Sequence, residues 1–205
     1  MLHLPAFGGN VLGLKTAAAG TAFVHVVPPA RVGKLGFTRI SQFSYTTGNT
    51  AHNVGLMRPI GSTTTSAASN VNTNTLTLTA DPGPSGNGIA ASDYIAVEHD
   101  DGTTLAYTVS AWNGTSKVLT INSNLAANVA SGNKVWDFGV VGDTDPITGV
   151  AHPQIPFANT NTSYNRKFDG GGLKSHDTRS PILIYSPNTT GAGTLEFVEY
   201  GYTVE

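Results

Sequence analysis

The chain has 205 residues, of which 12% are charged and 39% hydrophobic, with a formal net charge of −2 and no cysteine. An apolar content this high with so little net charge excludes a disordered chain, and near-neutrality argues against a nucleic-acid coat or a polybasic membrane binder. The missing cysteines exclude disulfides, thiolate metal sites and a thiol nucleophile.

The first twenty residues are mostly Gly, Ala, Leu and Val with little periodicity. They read either as a flexible terminus or as an extended arm lying on a neighbouring subunit. They lack a basic stretch followed by an apolar core, and no run approaches the ~20 apolar residues that span a bilayer. The expectation is a product made in the cytoplasm, with no membrane partner.

Strands begin at Thr21. Residues 21–27 are rich in β-branched and aromatic residues and stop at Pro28-Pro29. In residues 36–45 the apolar Phe37, Ile40 and Phe43 do not keep one phase, which predicts a bulge or burial on both faces. Residues 53–60 form a third strand, which Pro59 ends or places at an edge. Residues 61–74 are almost entirely Ser, Thr, Ala, Asn and Gly and read as a linker or exposed loop.

From Thr75 to Phe138 the chain predicts about five short strands. Apolar residues recur at every second position: Leu76 and Leu78; Ile95 and Val97; Leu105, Tyr107 and Val109; Leu119 and Ile121; Trp136 and Phe138. That is the period of a half-buried antiparallel sheet. Asp101-Gly102 and Asn113-Gly114 are dipeptides favoured by two-residue type I′ turns. Residues 125–129 leave room for one helical turn. After Gly139 a loop-rich stretch runs to Ser180. Residues 181–185 are apolar on both faces, as a central strand would be. Residues 194–204 shift phase after Phe197, which predicts another bulge.

The closing strands need partners, and the hairpin region looks self-sufficient, so they are expected to pair with strands before Gly61. The predicted fold is all-β: a discontinuous β-sandwich or jelly-roll-like base domain (21–60 and 142–205), an inserted small antiparallel β-barrel (61–141) and the N-terminal arm (1–20). Charge follows that split. Lys117 and Lys134 oppose Asp81, Asp93, Glu98, Asp100, Asp101 and Asp137, leaving the insertion at −4 and the remainder at +2.

Candidate chemistry is sparse. The fragment Gly83-Pro84-Ser85-Gly86-Asn87 has Asn87 where a nucleophile elbow needs its second Gly. Leu173 separates Gly172 from Lys174, which breaks a phosphate-loop pattern. The six histidines are dispersed, with none at metal-ligand spacing. Asp143-Thr144-Asp145 opens like a calcium loop, but Gln154 stands at its twelfth position. The cluster Glu98-His99-Asp100-Asp101 reads either as a weak hard-cation site or as a solvated turn. No catalytic residue, cofactor site or metal site is assigned, and the expectation is a protein that is not an enzyme.

Two surface features remain. Arg166, Lys167, Lys174 and Arg179 form the local basic concentration, read either as a solvated loop or as a loop docking onto an acidic protein surface. Trp112 stands beside the Asn113-Gly114 turn and is the better exposed tryptophan, whereas Trp136 belongs to the core.

Taken together, an apolar Gly/Ala arm, a discontinuous β domain, a Thr/Asn-rich inserted barrel and an aromatic closing strand resemble the decoration or cement proteins of tailed-bacteriophage capsids, and the run from Ser92 to Gly139 is similar in texture to small barrels of phage structural proteins. The likeness is one of organisation and texture. It implies a non-enzymatic structural virion protein, often a homotrimer, bound to the outer surface of the major capsid protein lattice. The alternative is a carbohydrate-binding or adhesion module on a virion or cell surface, with Trp112 as a stacking platform.

Overall fold

The computed structural model describes residues 15–17, 23–27, 37–46, 52–83, 88–140, 154–157, 163–167, 173–174, 180–186 and 193–203. The fold is all-β, with no helix among the described residues. In chain order the strands are β1 (Lys15–Ala17), β2 (Phe23–Val27), β3 (Phe37–Thr46), β4 (His52–Met57), β5 (Gly61–Thr64), β6 (Thr75–Thr77), β7 (Tyr94–Glu98) and β8 (Thr104–Asn113). There follow β9 (Val118–Ile121), β10 (Lys134–Gly139), β11 (Gln154–Phe157), β12 (Ser163–Lys167), β13 (Leu173–Lys174), β14 (Ile182–Ser186) and β15 (Gly193–Thr203). The chain divides into two compact units, Met1–Leu56 with Pro153–Glu205, and Met57–His152.

The first unit holds two sheets, ordered β1-β15-β3-β12, with β13 also on β3, and β11-β4-β14-β2. The closing strands therefore find partners before residue 61: β14 pairs with β2 and β15 with β3. Ile182, Leu183 and Ile184 are consecutive and all fully buried. Burial on both faces is what an unbroken apolar run demands, and β14 accordingly lies inside its sheet. Prolines bound these strands. β2 stops at Val27 before Pro28, β4 stops at Met57 before Pro59, and Pro156 is tolerated in β11 at the end of its sheet's order.

Bulges account for the irregular phase of β3 and β15, although the first slip on β15 falls before Phe197 and not after it. Register slips between Leu195 and Phe197, leaving Glu196 as the extra residue on β15, and again between Glu199 and Tyr200, leaving Ser41 as the extra residue on β3. One bulge lies on each strand, so the second slip cancels the first and pairing continues to Thr203↔Phe37.

In the second unit the sheet order is β5-β10-β7-β8-β9-β6. The sheet curls until its two end strands meet through the Thr65↔Leu78 bridge. Ser66 N donates to the Thr77 carbonyl and Thr79 N to the Thr64 carbonyl, both at 2.8 Å. Closure of this kind leaves no free edge for β5 or β6. The ten-residue β8 makes the curl possible. Thr104–Thr108 pair with β7 and Val109–Asn113 with β9, the latter ladder slipping register between Val109 and Ala111. The interior is packed by Leu76, Leu78, Ile89, Ile95, Val97, Tyr107, Val109, Leu119, Ile121, Leu125, Val129 and Val135. Trp136, Phe138 and Ala96 are also buried but fall outside that cluster. Strand alternation places Trp136 on the opposite face from Val135.

Five sequence expectations require correction. Gly61–Thr64, read as linker, is β5 and pairs with β10 from Asp137↔Gly61 to Lys134↔Thr64. Residues 125–129 form no helical turn. Their backbone bonds across to residues 69–73 instead, with Leu125 N to Thr73 O at 2.7 Å and Val129 N to Ser69 O at 2.9 Å. The stretch read as loop after Gly139 contains β11, β12 and β13. Within the N-terminal arm, Lys15–Ala17 is a strand on the chain's own β15, while the arm's other residues lie outside the described ones.

Finally, neither hairpin uses a two-residue turn. At the β7–β8 tip, His99 N bonds Thr103 O at 2.9 Å, Gly102 N bonds His99 O at 3.0 Å, and of the Asp-Gly pair only Gly102 has positive φ, 81°. That is a type I turn followed by a left-handed glycine bulge. The β8–β9 loop has four residues, and its left-handed position falls on Lys117 (φ 54°) rather than on Asn113 or Gly114.

Candidate functional site

The β7–β8 tip and the loops around it bring together His99, Tyr107, Glu98, Asp100 and Asp101. His99 is buried, 2% exposed, and its Nε2 lies 2.9 Å from the Tyr107 hydroxyl. The same hydroxyl accepts the Ala126 amide at 3.1 Å. The imidazole Nδ1 is buried without a hydrogen bond. Burial pushes the ring below its ordinary range, with Asp101, the Thr103 backbone and Asp100 pulling the other way. Burial also raises the Tyr107 hydroxyl, so it keeps its proton.

The neighbouring acids turn outward to different partners. Asp100 accepts the Ala130 amide at 2.8 Å and Asn133 Nδ2 at 2.9 Å. Asp101 accepts the amide and hydroxyl of Thr103, which hold its carboxyl below the usual range. Glu98 Oε2 accepts the Lys134 amide at 3.1 Å. Each carboxylate thus fastens nearby backbone, Asp100 and Asp101 in loops and Glu98 at the start of β10. Among the described residues no group of three His, Cys, Asp or Glu is placed to hold a metal ion. Asp81 acts in the same way on another loop, accepting Gly83 N at 2.9 Å and Ile89 N at 3.0 Å.

Beside the tip lies a shallow open depression of about 390 Å³ lined by Val71, Asp100, Asp101, Ala127 and Asn128. Asp100 and Asp101 are its ionisable lining groups, and none of the five lining residues is a Ser, Thr, Cys, Lys or His. Trp112 lies on β8, partly buried and packed against the barrel core. Trp136, expected in the core, is 2% exposed.

The basic residues are positioned by the first unit's larger sheet. Arg166 and Lys167 lie on β12 and Lys174 on β13, in strands and not in a loop. Along β3, β12 covers Gln42–Thr46 and β13 covers Arg39 and Ile40, with Lys174 directly opposite Arg39. These strands share one border of the sheet. The sequence reading missed Arg39, because only the pairing register brings it to Lys174. Arg179 lies outside the described residues, as do the 84–87 fragment, residues 143–150 and the glycine run 170–172.

No family model and no curated protein matches the chain. Two solved structures similar to it are capsid proteins of bacteriophage P23-77. One is the complex of its two major capsid proteins, VP16 and VP17, at 10% identity and a TM-score of 0.24, covering 94% of this chain and 100% of that one. The other is VP17, a capsid protein of the same phage, at 12% identity and a TM-score of 0.20, covering 96% of this chain and 99% of that one. Scores of that size carry no argument about fold or function.

Proposed function

We propose that this chain is a non-enzymatic structural protein of a phage virion, which decorates or cements the capsid as a homo-oligomer, a trimer in the simplest case, on the outer surface of the major capsid protein lattice. The observation that carries this reading is where the polar side chains go. Asp81, Glu98, Asp100 and Asp101 each accept a backbone amide of their own barrel. A protein that spends its carboxylates on holding loops is organised for rigidity. It acts by presenting fixed surface, and affinity then comes from area and shape. The basic border formed by Arg166, Lys167 and Lys174, with Arg179 following, supplies the charge that steers docking onto an acidic lattice.

The test is binding of purified protein to capsids that lack it. Binding is expected, and reversing Arg166, Lys167, Lys174 and Arg179 to Glu should weaken it by on the order of tenfold or more at low salt, with a smaller effect at high salt. Unchanged binding by that variant removes the border from the interface. A second reading follows from the partly exposed Trp112 ring. If the protein ignores such capsids but is retained on a glycan array, and Trp112→Ala abolishes retention, the chain is an adhesion module.

A further inference from the structure

We propose that His99 and Tyr107 form an acid-sensitive latch that fastens residues 122–130 to the β7–β8 hairpin. The geometry leaves one satisfactory arrangement of protons. The Tyr107 oxygen accepts the Ala126 amide, so its own proton is available to the nearest acceptor, which is His99 Nε2 at 2.9 Å. Nε2 can accept only in the neutral ring that carries its proton on Nδ1. The opposite tautomer leaves both the tyrosine proton and Nδ1 without partners inside the fold, which costs two buried polar groups instead of one.

Protonation removes the acceptor. Nε2 then carries its own proton, the tyrosine hydroxyl proton has nowhere to go, and a cation sits at a position that is 2% exposed. The relief available to the molecule is to release the Ala126 side of the latch and admit water. The segments around it offer no other switch in the neutral range. Residues 66–73 and 122–133 contain no ionisable side chain, so the titratable groups near the ring are Tyr107, in contact with it, and Asp100 and Asp101, which act on it through their charge, with Glu98 adjacent in sequence.

The sign follows from burial. His99 is held below its ordinary value in the closed state, so the open state binds the proton better. The latch is therefore at full strength above about pH 6.5, the ordinary imidazole value, and weakens as pH falls from there toward the folded value. Asp101 is held below the ordinary carboxylate range, outside this window.

Amide hydrogen exchange on the full chain, read as protection factors between pH 8 and pH 5, tests this. Protection at Ala126 is expected to fall by up to about tenfold per pH unit below about 6.5, while the amides of Val97 and Val135 keep theirs. The His99 ring titration followed by NMR should share its midpoint with the loss at Ala126. In His99→Gln the Ala126 profile should be flat, and in Tyr107→Phe its protection should already be low at pH 8. A flat wild-type profile, separate midpoints for ring and amide, or a pH dependence that survives His99→Gln would each overturn the proposal.

Discussion

Replacing Gly61 by alanine is expected to destabilise the barrel by about 3 kcal/mol or more, lowering its unfolding midpoint by on the order of 10 °C. A Cβ at Gly61 would fall onto the Pro82 carbonyl, which is backbone and cannot swing aside. Neither partner can yield. Gly61 is the first residue of β5 and pairs with Asp137 on β10. The Pro82 segment is held by Asp81, whose Oδ1 binds both Gly83 N and Ile89 N. Accommodating the methyl group means detaching the start of β5 or breaking that clasp. Gly114→Ala is the control. Its Cβ would make an ordinary contact with Trp112 Nε1 at 3.5 Å, and Gly114 is not at positive φ. It should stay within about 0.5 kcal/mol of wild type. Thermal unfolding of the pair decides the matter, and equal midpoints would refute the close approach of β5 to the 81–83 loop.

The second large effect is expected at the centre of the barrel. Leu119 is fully buried, pairs with Leu76 across the β6–β9 ladder and with Trp112 across the β8–β9 ladder. Leu119→Ala removes side-chain volume where the surrounding side chains come from strands hydrogen-bonded on both sides, so the cavity cannot collapse freely. The cost should be about 3 kcal/mol, within the 2–5 range of such truncations. Denaturant unfolding followed by the emission of Trp112, which packs on this core, would show it as an earlier midpoint. The chain has two units, so a probe inside the barrel is needed to assign the transition. A midpoint unchanged from wild type would mean that the six strands do not enclose a common core.

The residues that were legible in the sequence are those whose burial alternates. Ile95, Val97, Tyr107, Val109, Leu119 and Ile121 all keep period 2 and all face the barrel interior. Ile182, Leu183 and Ile184 announced a central strand because no polar residue interrupts them. The bulges at Glu196 and Ser41 were visible as phase slips. What alternation cannot show is a strand made of hydroxyls. Gly61–Thr64 closes the barrel with backbone bonds, and its Gly, Ser and Thr residues carry no apolar signal. The strand Ser163–Lys167 was lost for the same reason, its polar residues suiting a sheet border.

The turns misled because a dipeptide preference is local while loop length is set by the ladder. His99 and Thr103 extend the β7–β8 pairing by a backbone bond, which leaves a longer turn and places the positive φ on Gly102 alone. Asn113 spends its Oδ1 on the amides of Thr115 and Ser116, at 3.1 Å each, so it caps the four-residue loop instead of entering a left-handed turn. Trp136 and Phe138 shared a phase with each other, but period 2 says only that two residues share a face of one strand. Which face meets the barrel interior was fixed by the neighbouring strands. The His99–Tyr107–Ala126 connection was not legible at all. It depends on the hairpin register and on the path of a loop that carries no periodic signal.

If the chain works by covering area on a virion with rigid sheets, electron microscopy of the particle from which it is recovered should show it. Density for both β units is expected, repeated over the outer shell and in contact with the major capsid protein. Intact particles that lack this chain, or density showing it closed around a bound small molecule away from any lattice, would contradict that expectation.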